Sequence, residues 1–205
     1  VRERLNYHLQ RQGRQCVADP TDREVGTVGG ALAVNAAGSF WPKSGSMSRH
    51  VRRMQVVLAD GKLMEAGREP LRQGVSDDPD PRKRDLVNSL ASLLRSHREV
   101  IERHRTRCAV DSCGYRLEDI LRDDVLDLAG LLVGSEGTLG VVTEATLATQ
   151  PLPRHRGVAL LLFDSIDKAI RSATCIAARQ PNACDLLDRR HLSLARQTDI
   201  RFDVL

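Results

Sequence analysis

Two glycine-rich segments hold the residue types best suited to ligand chemistry. The first runs Gly26-x-x-Gly29-Gly30-x-x-x-x-Asn35-x-x-Gly38, the second Gly134-Ser-Glu-Gly137-Thr-Leu-Gly140-Val-Val-Thr143. Glycine adopts positive φ freely and lets a backbone approach a ligand with no Cβ in the way. Successive N–H groups in such loops hold anions, a pyrophosphate among them. Neither segment is a Walker phosphate loop, because no Gly-Lys-Ser/Thr follows, and neither is the GxGxxG of a doubly wound dinucleotide domain. Spacing alone leaves ligand binding and simple turns or bulges both open.

The other reactive residues form no comparable pattern. The five cysteines (Cys16, Cys108, Cys113, Cys175, Cys184) are odd in number and widely spaced. With no CxxC pair they read as reduced or buried thiols of a cytoplasmic protein, not a zinc or redox site. His97 falls on the apolar face of a helical pattern and reads as a packed or edge histidine; His155 and His191 read as surface or packing residues. The net charge of +4 and the arginines between Arg82 and Arg107 raise a nucleic-acid reading. Aromatics are only 3%, too few for base-stacking platforms. Most of these charges also lie opposite an apolar stripe, as on a solvated helix face. No nucleic-acid partner is expected. No apolar run approaches the roughly 18–20 residues of a membrane helix, and no secretory signal precedes the first helix.

The elements that must position the glycine segments follow from periodicity. Residues 1–12 read as a helix with Val1, Leu5 and Leu9 on one face. Asp19-Pro20-Thr21-Asp22 is a turn, and Asn35 to Gly45 a loop. Val51–Ala59 is a strand, Asp60-Gly61 a hairpin signal, and Lys62–Glu65 the return strand. Gly67–Pro81 reads as a polar loop. Pro81 opens a helix over Arg82–Arg103 whose buried stripe would be Leu86, Leu90, Leu93, Leu94 and Ile101. Leu117–Leu121 and Val125–Leu132 are short helical candidates. Val133–Gly140 is a glycine loop leading into a strand over Leu139–Thr149. Pro151-Leu-Pro153 marks a boundary. Val158–Phe163 then reads as an apolar strand, followed by a helix capped by Asp164 or Ser165, and Asp185–Gln197 as a last helix.

In order along the chain, Asp19-Pro20-Thr21, Thr27-Val28-Gly29-Gly30, Asn35-Ala36-x-Gly38, Lys43-x-Gly45, His50-Val51 and Val56-Val57-Leu58-Ala59-Asp60-Gly61 resemble the FAD-linked oxidases with a cresol-methylhydroxylase-type flavin domain. Leu128-x-Gly130-Leu-Leu-Val-Gly134-Ser135-Glu136-Gly137-Thr138-Leu139-Gly140-Val-Val-Thr143-Glu144 resembles that family's most specific signature. Within the family the chain is similar to the large FAD-linked dehydrogenases of 2-hydroxy acids. Gly114-Tyr115-x-Leu117 and the arginine-rich helix before it are similar to the group that also carries iron–sulfur domains. The resemblance implies an α+β fold: the second half of the FAD-binding domain over residues 1–153, with a helical insertion at about 68–105, then the start of an α+β cap domain over 154–205. It implies that Pro20, Thr21, Gly29, Gly30, Asn35, Gly38, Glu136, Gly137, Gly140, Val141 and Val142 line FAD. Glu136 as a capping carboxylate and Asn35 as a turn-former are the structural alternatives.

The sequence departs from the family at Ser44, where an aromatic is usual, at Trp41-Pro42, and at Cys108-Ala-Val-Asp111-Ser-Cys113, where a basic-Asn-small pattern is usual. The family's first glycine-rich loop has no counterpart before Gly13, and no cationic clamp or catalytic base can be placed. The expectation is therefore a piece of a longer FAD-dependent 2-hydroxy-acid dehydrogenase, which passes hydride from substrate C2 to the flavin and on to an electron acceptor. Any iron–sulfur cluster would lie elsewhere in that enzyme. The rival expectation is a non-catalytic binding or assembly module that keeps the fold without the chemistry.

Overall fold

The computed structural model describes residues 2–16, 25–105 and 114–197. Its framework is an antiparallel sheet of three strands: β2 (Val51–Val57) at the centre, between β3 (Leu63–Ala66) and β7 (Val141–Leu147). The Asp60-Gly61 turn joins β2 to β3, with Gly61 at φ 77° and Asp60 accepting from the Lys62 N–H at 3.1 Å. Val51, Met54 and Val56 of β2 all face the core, although strict alternation would separate Val51 from the other two. A register shift against β7 between Val51 and Arg53 resets the alternation, the usual effect of a bulge.

A second antiparallel sheet has the order β4 (Arg68–Pro70), β6 (Val125–Asp127), β5 (Leu121–Arg122). The short pair β1 (Arg14–Gln15) and β8 (Gln150–Pro151) ties the region after α1 (Arg2–Gln10) to the end of the β7 segment. Helix α2 (Val28–Ala33), the short α3 (Trp41–Ser44), a 3₁₀ turn at Met47–Arg49, α4 (Pro81–Ser96), α5 (Arg98–Arg103) and α6 (Leu128–Leu132) close over the sheets. The core runs from Leu32 and Met47 through Met54 and Val56 to Val87, Ile120, Leu126 and Val133. The fold class is α+β, as expected.

Several local expectations change. Residues 68–70 form a strand, not a loop: their carbonyls and amides pair with β6 despite a polar sequence, and Pro70 ends the edge. Leu121–Arg122 and Val125–Asp127 form a hairpin, and only Leu128–Leu132 is helical. The long helix breaks at His97, which caps α4 with its N–H on the Leu93 carbonyl and lies with its ring Nδ1, as donor, 3.0 Å from the same oxygen. Its buried face is Val87, Ala91 and Leu94, while Leu86 and Leu93 are exposed; the stripe is rotated by about one residue from the one the leucines suggest. His97 is exposed, not packed. Val158–Phe163 pairs with no strand among the described residues, and Val158 is 99% exposed. Ser165 does cap α7 (Ile166–Ala177), and α8 spans only Arg189–Gln197.

Charge braces α4 against β4 and the loop between them. Lys83 on α4 lies 2.9 Å from Glu69 of β4 and 3.1 Å from Asp78. Burial works against the Lys83 ammonium, but hydrogen bonds to the two carboxylates outweigh it and raise its pKa. Glu69 is itself buried and accepts from the Gly67 N–H at 2.9 Å. Farther along, Arg95 donates to the Gly74 carbonyl at 2.9 Å, and Arg105 lies 3.0 Å from Asp119.

Candidate functional site

The two glycine segments are brought together by backbone hydrogen bonds. Thr27 caps α2, its hydroxyl accepting from the Gly30 N–H at 2.9 Å. Ala31 and Leu32 anchor the helix in the core. At its end the last carbonyls need partners from outside the helix. The second segment supplies them: the Gly134 N–H donates to Leu32 at 2.9 Å and the Glu136 N–H to Ala33 at 2.9 Å. Segments separated by about a hundred residues thus form one continuous backbone surface.

Within this junction the glycines and their neighbours have distinct tasks. Gly134 holds φ 84°, and a Cβ there would stand 3.2 Å from that of Asn35. Gly140 passes so close to β2 that a Cβ would lie 2.9 Å from the Val57 carbonyl oxygen. Gly130, in α6, faces its own cap: Asp127 accepts from its N–H at 2.8 Å. Asn35 is buried at φ 47°, and its side-chain oxygen accepts from the Ser48 N–H at 3.0 Å. These residues hold turns and close approaches between protein segments.

Gly29 and Gly137 are different. Among the described residues, and apart from its own chain neighbours and helix backbone, nothing lies within 4 Å of a Cβ built on either one. Gly137 is exposed at φ 80°, beside exposed Glu136 at φ 52°. Gly30 is also exposed, but a Cβ there would meet the Thr27 hydroxyl at 3.0 Å. Gly38 is half-buried and accepts from the Trp41 N–H at 2.9 Å, starting the turn into α3. Val141 is exposed, whereas Val142 packs partly against the core. Pro20, Thr21, Cys108 and Cys113 lie outside the described residues.

Beside the junction a cleft of about 480 Å³ opens between α1, α2 and β7, lined chiefly by Leu5, Leu9, Val28, Leu32, Val142 and Leu147 together with Gly29. Val142, Ala145 and Leu147 sit across from Val56, Met54 and Val51 in the sheet register, so the cleft is an open continuation of the core. Its walls are mostly apolar, with Thr143, Glu144 and Thr149 as the polar part, and no Lys, Arg or His lines it among the described residues. Among those residues no group of three or more His, Cys, Asp and Glu side chains is arranged to hold a metal ion. The Leu5 and Leu9 spacing was legible in the sequence as an apolar face; its role as a cleft wall was not. Thr27 and Asp127 could have been found by their position three residues before a helical glycine, which is where an N-cap acceptor belongs.

The arrangement offers an apolar slot edged by bare backbone, which suits a flat ring system with polar edges. Residues 1–67 match the model of an FAD binding domain. The chain is 30% identical over 201 residues to D-2-hydroxyglutarate dehydrogenase of Pantoea ananatis, covering 96% of this chain and 20% of that protein. The chain is thus similar to the FAD-linked oxidases. It is also 26% identical over 199 residues to the mitochondrial D-lactate dehydrogenase [cytochrome] 1 of Saccharomyces cerevisiae, covering 96% of this chain and 25% of that protein. With glycolate oxidase subunit GlcD of Bacillus subtilis it shares 27% identity over 173 residues, covering 83% of this chain and 26% of that one. The chain thus spans about a fifth to a quarter of these relatives' lengths. Among solved structures, alkyldihydroxyacetonephosphate synthase shares the fold at a TM-score of 0.52 and 19% identity, over 89% of this chain and 24% of that one. No helix among the described residues is long and apolar enough to cross a membrane.

Among the described residues, the junction leaves room for a cofactor beside the backbone. The open space at Gly29 and Gly137 is where a side chain would otherwise stand between backbone and ligand.

Proposed function

We propose that this chain forms one wall of the FAD site in a dehydrogenase of 2-hydroxy acids. The observation that carries this reading is the junction of the two glycine segments, in a chain 30% identical to a D-2-hydroxyglutarate dehydrogenase over 201 residues. Residues 1–153 are the FAD-binding part, and 154–205 begin the cap. Pro20, Thr21, Gly29, Gly30, Gly38, Glu136, Gly137, Val141 and Val142 line the cofactor. Asn35 and Gly140 support that wall from behind, through the Ser48 N–H and the close approach to Val57.

When bound, FAD supplies the acceptor for the hydride leaving C2 of the substrate. The chain's own residues bind and orient it: bare backbone at Gly29 and Gly137 meets polar edges, and the apolar cleft keeps water from one face. No Lys, Arg or His among the described residues lines the cleft, so none of those cations supplies a carboxylate clamp there. A separate acceptor would take the electrons onward. The name of the yeast relative points to a cytochrome for that protein, and the likeness of Gly114-Tyr115-x-Leu117 to the iron–sulfur-linked group points to a cluster as carrier here.

The test is anaerobic addition of D-2-hydroxyglutarate, D-lactate or glycolate, each alone, to the purified full-length protein. Bleaching of the flavin's visible absorption by one of them is expected. Bound FAD that none of the three bleaches would refute the substrate class, and protein without FAD would refute the wall.

A further inference from the structure

The loop that carries Glu136 and Gly137 is held by a relay of two hydroxyls. The Thr138 hydroxyl donates to the Ser135 carbonyl at 2.5 Å, and the Thr138 N–H donates to the same carbonyl at 2.9 Å. The Tyr115 hydroxyl lies 2.9 Å from the Thr138 hydroxyl oxygen. A threonine hydroxyl has one hydrogen, and here it is spent on Ser135. Tyr115 is therefore the donor of its contact, and the relay runs Tyr115 O–H to Thr138 O–H to Ser135 C=O.

The relay spans a tight turn. Ser135 is buried, and the two residues between it and Thr138 both hold left-handed backbone, Glu136 at φ 52° and Gly137 at φ 80°. Left-handed backbone costs a non-glycine residue about 1–2 kcal/mol, so Glu136 stays there only while its surroundings hold it. From the α2 side, the Glu136 N–H on Ala33 supplies one tether. On the other side of the turn, the relay supplies the second. Tyr115 comes from a segment 23 residues earlier and is about half exposed, so its phenol contributes little to the core.

We propose that Tyr115 is a positioning residue that presets the Glu136–Gly137 turn for FAD. The inference rests on the flavin-wall reading above. Preset backbone donors bind with less loss of conformational freedom than mobile ones. One neutral hydrogen bond of this kind corresponds to an affinity change of about fivefold.

The test uses the full-length protein with Tyr115→Phe, Thr138→Val, Thr138→Ser and the Tyr115→Phe/Thr138→Val double variant. Amide hydrogen exchange at Glu136–Thr138 is read on FAD-free protein, and FAD affinity by titration of the same preparations. Tyr115→Phe and Thr138→Val should each speed exchange at the turn and weaken FAD about fivefold. Thr138→Ser, which keeps the hydroxyl, should behave as the native protein. The double variant should be no worse than Thr138→Val alone, because without the Thr138 hydroxyl the Tyr115 hydroxyl has nothing in the relay to act on. Unchanged exchange and affinity in Tyr115→Phe, or additive losses in the double variant, would overturn the proposal. Faster exchange with unchanged FAD affinity would overturn the positioning role while leaving the clip. Native protein that takes up no FAD at all would instead overturn the flavin-wall reading, whichever way the exchange data fall.

Discussion

At the scale of single residues, glycine serves two opposite purposes in this chain. Gly140 is a glycine because protein comes too close; Gly29 and Gly137 are glycines where no other segment of the described residues comes close. The two cases predict different behaviour. Gly140→Ala places a methyl 2.9 Å from the Val57 carbonyl oxygen, and the obstacle is backbone, not a flexible side-chain end. Overpacking of this kind costs about 1–3 kcal/mol. Urea unfolding of the variant should show a loss in that range, and a variant as stable as the native protein would show that β7 shifts freely away from β2. In the sequence the two purposes look alike, since spacing reports that a Cβ is absent and not what occupies its place. Asn35 was ambiguous for a similar reason. As a turn-former it was legible from its type, but its acceptor role toward Ser48 depends on a contact across thirteen residues of loop.

At the scale of elements, the helices and strands with strong local signals were legible. The β2–β3 hairpin follows from Asp60-Gly61 between β-rich runs, and α4 begins at Pro81 behind the Asp80 cap. Elements that owe their form to a neighbour were not. Arg68-Glu69-Pro70 has a polar loop composition and becomes a strand only because β6 pairs with it. The buried face of α4 turned out to be Val87, Ala91 and Leu94 because the side of the helix facing β4 is fixed by Lys83. The leucine pattern contains no information about that ion pair. Lys83→Ala leaves Glu69 buried without its cation, a loss of about 3 kcal/mol by the usual cost of breaking a buried pair. The pKa of Lys83 is raised in the fold, so its contribution is fully present below the unfolded lysine value of about 10.4 and fades as pH climbs through the raised folded value. Denaturation of native and Lys83→Ala protein should therefore differ most at neutral pH and converge at strongly alkaline pH. A gap that persists there would mean that the lysine acts through packing of its stem alone.

At the scale of the whole molecule, two sequence segments about a hundred residues apart meet at the end of one short helix, and an apolar cleft opens beside them. The resemblance of their ordered motifs to the FAD-linked oxidases implied FAD, while spacing alone left ligand binding open. The hydrogen bonds of Gly134 and Glu136 to α2, and the relay from Tyr115, appear only in the folded chain. The region after Arg154 was legible as a strand and helices, yet Val158–Phe163 finds no strand partner among the described residues, because strand pairing depends on a neighbour that periodicity cannot supply. The central claim is that the bare backbone at Gly29 exists for FAD and not for the protein's own packing. Gly29→Leu separates the two. Among the described residues no atom beyond its own helix backbone lies within 4 Å of the new Cβ, and leucine favours the helix over glycine by somewhat less than about 1 kcal/mol. Measured on the full-length protein, this variant should keep or raise the unfolding midpoint while FAD affinity falls at least about tenfold, equivalent to about 1.4 kcal/mol. Native FAD affinity in a stably folded Gly29→Leu protein would contradict the account.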